Sequence, residues 1–236
     1  MSNYHVAISG CDHGLGLALC KACLRLGYRV YAGHYKADSA DLATLKQDFP
    51  DQILAIPLDC GDDVSIKTFV GEVYKHSKKL DVLINNAAML GNIDTGIDAS
   101  LDFEEMETAF RINTLGPLRL IQAALPLLRA GNGKCIANIS SEAASIGANF
   151  RDRWFAYCMS KAALNRQSAL IYEALKNEGF AVLCLHPGHL RTHMRGELDT
   201  SASLTADDVA GPLFKLIQNP PKPFGFWDFE GKELGW

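Results

Sequence analysis

Short runs of Val, Ile and Leu alternate along the chain with longer amphipathic stretches. The runs are His5-Val-Ala-Ile8, Tyr28-Arg-Val-Tyr-Ala32, Ile53-Leu-Ala-Ile-Pro-Leu58, Val82-Leu-Ile84, Cys135-Ile-Ala-Asn-Ile139 and Ala181-Val-Leu-Cys-Leu185, with Phe224-Gly-Phe-Trp-Asp-Phe229 as a last strand. Runs that are nearly continuous rather than alternating suit parallel strands covered on both faces. Between them, residues 15 to 26 carry Leu15, Leu19, Ala22, Cys23 and Leu26 at helical spacing and stop at Gly27. Further helices are predicted over 40 to 49, 64 to 77, 102 to 128 and 155 to 177, and Thr205-Ala-Asp-Asp208 reads as a capping box opening one more. This alternation predicts a single α/β domain over residues 1 to 236. Its doubly wound parallel sheet would have about seven strands and helices on both faces, with ligands at the carboxyl ends of the strands.

Composition narrows the function classes. Hydrophobic residues make up 48% and charged residues 21%, and the net charge is −4, so nothing in the balance attracts nucleic acid or an anionic membrane surface. No apolar run approaches the roughly 20 residues of a membrane span, and the start Met1-Ser-Asn-Tyr-His5 lacks a basic segment and apolar core. A cytoplasmic location is the expectation. The seven cysteines fall mostly within apolar runs and imply no disulfide framework. Cys20 and Cys23 have metal-like spacing without a second pair, and His189 and His193 follow Pro187-Gly188 without a third ligand, so no metal site is expected.

The first strand runs into Ser9-Gly10-Cys11-Asp12-His13-Gly14-Leu15-Gly16 and then a helix. Glycines there allow a sharp turn and close approach to a pyrophosphate, and the helix N-terminus supplies amide donors and a positive dipole end. Asp59 follows the third strand and Asp81 to Met89 spans the fourth, both read as lying on the carboxyl edge, where Asp and Asn either bond a ligand or their own turn. Asn113 interrupts an apolar helix just before Gly116 and Pro117, and its burial would call for a local break or a water chain. The fifth strand ends in Asn138-Ile-Ser-Ser141, which can bond a carbonyl oxygen or cap a turn. Residues 195 to 204 read as a mobile connection.

Tyr157 and Lys161 lie four apart in Trp154-Phe-Ala-Tyr-Cys-Met-Ser-Lys-Ala-Ala-Leu164 and would share one helix face. Such pairs often place a Lys stem over a ring on a solvated face. A fixed ammonium beside the phenol would instead favour the phenolate and suit acid/base work near neutrality.

Taken together, the glycine turn at residues 9 to 16, Asp59, Asn85-Asn-Ala87, Asn113, Ser141, Tyr157-x-x-x-Lys161 and Pro187-Gly188 with Thr192 resemble the short-chain dehydrogenase/reductase family over essentially the whole chain, with its Rossmann-type fold. Leu185-His-Pro-Gly188, Arg191-Thr-His-Met194 and the ending from Asp228 to Trp236 look most like its C-factor and sniffer-like carbonyl reductase branch. The resemblance implies a catalytic set of Asn113, Ser141, Tyr157 and Lys161. Tyr157 would be the acid/base, Lys161 would lower its pKa and bond the nicotinamide ribose, Ser141 would hold the substrate oxygen, and Asn113 would anchor a proton-reloading water chain. It further implies a cofactor set of Gly10, His13, Gly14, Leu15, Gly16, His34, Asp59, Asn86, Ala87, Tyr157, Lys161, Pro187, Gly188 and Thr192. Gly10, Gly14 and Gly16 would admit the pyrophosphate, Asp59 the adenine, Asn86 a ribose, and Thr192 the nicotinamide amide or diphosphate.

The implied activity is hydride transfer between a nicotinamide and a small carbonyl or alcohol, with carbonyl reduction favoured. The alternative is a dinucleotide-binding sensor with little turnover. Family members often pair as homodimers or homotetramers through helices corresponding to 102 to 128 and 155 to 177. Ser9 and Ala88 depart mildly from the family pattern. Extra length between Ser141 and Tyr157, in residues 149 to 155, points to substrate loops near 142 to 156 and 189 to 204, with Phe150 and Trp154 as contacts. Gly33 stands where an acid would select NAD(H), and His34 and Lys36, with His13 before Gly14, could supply positive charge. NADP(H) is therefore favoured, and Asp38 in a shifted register leaves NAD(H) open.

Overall fold

The computed structural model describes residues 4 to 36, 39 to 148, 150 to 194 and 196 to 236. The chain alternates β1 (His5–Ser9), α1 (Gly14–Arg25), β2 (Arg29–His34), α2 (Ala40–Asp48), β3 (Ile53–Pro57), α3 (Asp63–His76) and β4 (Val82–Asn85). It continues through α4 (Phe103–Phe110), a π-helical turn (Arg111–Leu115), α5 (Gly116–Ala130), β5 (Cys135–Ile139), α6 (Phe155–Leu175), β6 (Ala181–His186), α7 (Ala206–Gln218) and β7 (Phe224–Asp228). All seven strands pair in parallel in the order β3-β2-β1-β4-β5-β6-β7, so the direction of winding reverses between β1 and β4. That reversal opens a crevice at the carboxyl ends of the strands, where open α/β sheets bind ligands.

The continuous apolar runs have the cause expected of them. Val6 and Ile8 of β1 pack toward α1, α2 and α7, and Ala7 packs the other way with residues of α3, α5 and α6. A strand with both faces covered cannot afford a polar face. No helix among the described residues is long and apolar enough to cross a membrane.

The predicted helix over 102 to 128 is divided. Pro117 has no N–H to offer the carbonyl of Asn113, its partner in a regular α-helix, and the chain widens so that the Gly116 N–H bonds Arg111 O instead. Gly116 also lies where a Cβ would meet Cys60 O at 2.6 Å. The break turns Asn113 inward with no solvent exposure. The predicted capping box at Thr205 and Asp208 is present. One placement is corrected: Asp81 precedes β4 and therefore lies at the opposite edge of the sheet. There its buried carboxylate accepts from the backbone of His5, Asn132 and Gly133.

Candidate active site

The β1–α1 turn is held by polar contacts from β4. Ser9 Oγ accepts from the N–H groups of Asn86 (3.0 Å) and Ala87 (3.1 Å), and Asn86 Nδ2 donates to Ser9 O and Gly10 O, each at 3.0 Å. Asn86, expected at a ribose, thus spends its amide on clamping the glycine turn. A Cβ on Gly16 would lie 2.1 Å from Gly10 O, so only glycine fits there. Gly14, at φ +58°, is open instead, with Thr192 Cγ2 the nearest atom to a built Cβ at 3.7 Å. Thr192 is therefore brought over the turn. Leu15 turns its side chain into the core, and its backbone N–H is one of the donors that the first turn of α1 leaves without an intrahelical partner.

The helix N-termini differ. α2, α3, α4 and α7 are capped by Ser39, Asp62, Asp102 and Thr205 side chains. α1 begins after His13 with no side-chain cap and no acidic residue in its first turn. Its free amide donors and positive dipole end fit a dinucleotide pyrophosphate.

At the end of β2, buried Asp12 accepts from the backbone N–H groups of Tyr35 (3.1 Å) and Lys36 (2.5 Å), and Ser39 Oγ bonds Asp12 O. His34 Nδ1 is 2.9 Å from Lys36 O, so that ring serves the loop it belongs to. Tyr35 is 72% exposed here and was not singled out from the sequence; a lone Tyr at a strand end carries no spacing signal. Asp38 lies outside the described residues. Asp59 accepts from Gly61 N (2.7 Å), bonding its own turn. Gly188, at φ +83°, follows Pro187 after β6 and lies against Leu204. The segment read as mobile holds bonds of its own: His189 Nε2 meets Asp199 Oδ2 at 2.9 Å, Arg191 donates to Ala202 O, and Leu190 pairs with Leu204.

On the substrate side, β5 and α6 bring Ser141, Tyr157 and Lys161 together, all buried. Lys161 Nζ donates to Ile139 O (2.8 Å) and lies 5.6 Å from the Tyr157 ring centroid. Burial pulls its pKa down to about 8. The expected depression of the Tyr157 pKa is not found. Burial pushes the phenol up to about 12, Ser141 draws it partly back, and Glu142 adds to the rise. Desolvation of a buried phenolate outweighs a cation whose own charge is disfavoured by the same burial. Asn113 Oδ1 accepts from Met89 N (2.7 Å) and its Nδ2 donates to Met89 O (2.7 Å) and Ser160 Oγ (3.0 Å), tying the β4 loop to α6.

Trp154 adopts a left-handed backbone (φ 68°) just before α6 and sets its ring edge-on to Tyr157, with centroids 6.1 Å apart. Phe150 is 77% exposed, and Asn149 lies outside the described residues. Glu142 and Arg151, which the sequence reading passed over, adjoin Ser141. Ser141 Oγ donates to Glu142 Oε2 (2.6 Å) and Arg151 Nη2 pairs with Glu142 Oε1 (2.5 Å).

Comparison with known proteins shows the family and the fold. Residues 4 to 203 match the family model for short chain dehydrogenase. The chain is 39% identical over 159 residues to the C-signal protein of Myxococcus xanthus, covering 66% of this chain and 93% of that one. It is 30% identical to 1-hydroxy-2-glutathionyl-2-methyl-3-butene dehydrogenase of Rhodococcus sp. strain AD45, over 98% and 99% of the two chains. Among solved structures, NADPH-bound carbonyl reductase from chicken fatty liver superposes with a TM-score of 0.89 at 28% identity. Carbonyl reductase Sniffer of D. melanogaster does so at 0.90 and 27%, both over the full length of each chain.

Proposed function

The chain belongs to the short-chain dehydrogenase family, and from that premise we propose that it is an NADP(H)-dependent oxidoreductase that reduces small aldehydes or ketones, with Tyr157 as the acid. The observation that carries this reading is the convergence on one sheet edge of an open helix N-terminus at α1 with the buried set Ser141, Tyr157 and Lys161. NADP(H) in the related carbonyl reductases, and Gly33 where an acid would repel a 2′-phosphate, support the choice of cofactor.

When bound, the nicotinamide supplies or accepts the hydride. The residues of this chain do the rest. The α1 amides and the turn clamped by Asn86 would hold the pyrophosphate, with Thr192 beside Gly14. Tyr157 keeps its proton at neutral pH and delivers it to the carbonyl oxygen, which suits reduction. Lys161 titrates close to working pH and is placed under the Tyr157 ring to replenish that proton, while Asn113 fixes α6 through Ser160. Leu90, Trp154 and Ala143 pack around Tyr157 and keep water from it.

The test is turnover against a panel of aldehydes and ketones with NADPH and with NADH. The expected result is a kcat/KM preference for NADPH of about tenfold or more, equivalent to ~1.4 kcal/mol. A clear NADH preference overturns the cofactor choice. Cofactor binding without turnover overturns the enzyme reading in favour of a dinucleotide sensor.

A further inference from the structure

The side chains packed about the Tyr157 ring are apolar: Leu90, Ile93, Ala143, Trp154 and Cys158. One charged pair stands in the next layer. Glu142 follows β5, Arg151 lies in the loop before α6, and Arg151 Nη2 is 2.5 Å from Glu142 Oε1. The same guanidinium lies 4.4 Å from the Phe150 ring centroid and 4.7 Å from that of Trp154. Trp154 in turn sets its ring 6.1 Å from that of Tyr157, so a single ring connects the charged pair to the phenol.

Arg151 is therefore held by a carboxylate and two aromatic rings. Its side chain is 15% exposed against 37% for Glu142, so the carboxylate is the more open member of the pair. A substrate carrying a carboxylate would meet a like charge there before it met the guanidinium. The other arginines of the two loops are engaged as well. Arg153 lies 3.6 Å from Asp152 and donates to Asp94 O, and Arg191 donates to Ala202 O.

We propose that the Glu142–Arg151 pair sets the charge selectivity of the substrate side of the crevice, admitting uncharged apolar aldehydes and ketones and turning away those that carry a carboxylate. The inference deepens the oxidoreductase reading and rests on it for the identity of the reacting group. Glu142 is the deciding residue. Without its charge, the same wall presents an arginine between aromatic rings, a fork suited to a planar carboxylate.

The test compares para-carboxybenzaldehyde with para-carbamoylbenzaldehyde, which share a shape and differ by one charge. The readout is the ratio of their kcat/KM values within each variant, from which effects common to both substrates cancel. The wild type is expected to favour the carbamoyl compound by about tenfold or more. Glu142→Gln moves the ratio toward the carboxylate by about tenfold, mainly through KM, and Arg151→Met moves it the other way. The gain disappears in the double variant Glu142→Gln/Arg151→Met, because it needs the arginine. Glu142→Asp keeps the wild-type ratio. Opposite shifts in the two single variants establish the inference, whereas unchanged ratios or shifts of one sign overturn it. Absence of turnover with any aldehyde in the wild type overturns the oxidoreductase reading instead. Calorimetric binding of benzoate and benzamide, with and without NADP+, then decides this inference alone: the Glu142→Gln protein must gain affinity for benzoate relative to benzamide, and no gain, or no binding of either, overturns it.

Discussion

The two halves of the crevice are made of different material. At β1, β2 and β4 the wall is backbone: glycines at Gly14 and Gly16, open amides at α1, and side chains such as Asn86 and Ser9 turned inward to hold the main chain in shape. At β5 and β6 the wall is side chains that carry charge or protons: Ser141, Glu142, Arg151, Tyr157, Lys161 and His186. A backbone wall recognises what all dinucleotides share, a pyrophosphate, and tolerates little substitution. A side-chain wall sets chemistry and can be altered residue by residue without disturbing the fold.

The largest effect is expected where that second wall is proposed to do chemistry. Tyr157→Phe removes the transferable proton and keeps the ring packed against Trp154 and Leu90. Turnover should fall by about 10³-fold, within the range for losing a positioned acid. The dissociation constant for NADPH, measured by fluorescence titration, should stay within about threefold, or ~0.65 kcal/mol. Unchanged turnover would break the comparison at its centre, because the side-chain wall would then have no chemical role.

In the first wall the order of effects should reverse, with structure failing along with function. Gly16→Ala places a methyl 2.1 Å from Gly10 O and 2.6 Å from Asn86 Nδ2, and neither atom is the free end of a flexible chain. The turn must open, at a cost of about 2–4 kcal/mol by the usual scale for overpacking, and cofactor affinity should fall with it. Thermal unfolding with and without NADPH separates the two losses. A variant of wild-type stability that still binds cofactor would show that the backbone wall is softer than its contacts imply.

Legibility in the sequence divides along the same line. Glycine spacing, strand ends and the Tyr157/Lys161 interval are local, and they identified the fold and pointed to the turn and to the residues proposed for the crevice. The division of the 102 to 128 helix was foreshadowed by Asn113, Gly116 and Pro117 together, since a proline four residues on denies a carbonyl its donor. What escaped was relational. Glu142 and Arg151 lie nine residues apart in a loop with no period, and nothing short of the fold says that they meet at Ser141. The phenol pKa was misjudged for a related reason: a pairing is visible at i and i+4, but the desolvation that opposes it comes from residues distant in sequence, such as Leu90. Asn86 and Asp59 were placed on the right edge, yet the bonds of both serve the backbone around them.

The smallest of the three effects tests what an open helix end is for. His13 has extended backbone (φ −163°, ψ −177°), the conformation of an N-cap residue, and it makes no capping bond. His13→Asp supplies the missing acceptor to the first turn of α1 and a negative charge to its dipole, which by itself should stabilise the protein by about 1 kcal/mol. The same carboxylate would occupy the amides that a pyrophosphate needs and repel its charge. Melting temperature without cofactor should therefore rise while affinity for NADPH falls by about tenfold, or ~1.4 kcal/mol. Opposite signs from one substitution would show that α1 is left uncapped for a ligand, in contrast to α2, α3, α4 and α7. A gain in both stability and affinity would mean that the pyrophosphate binds elsewhere, and the backbone wall would lose its assigned function.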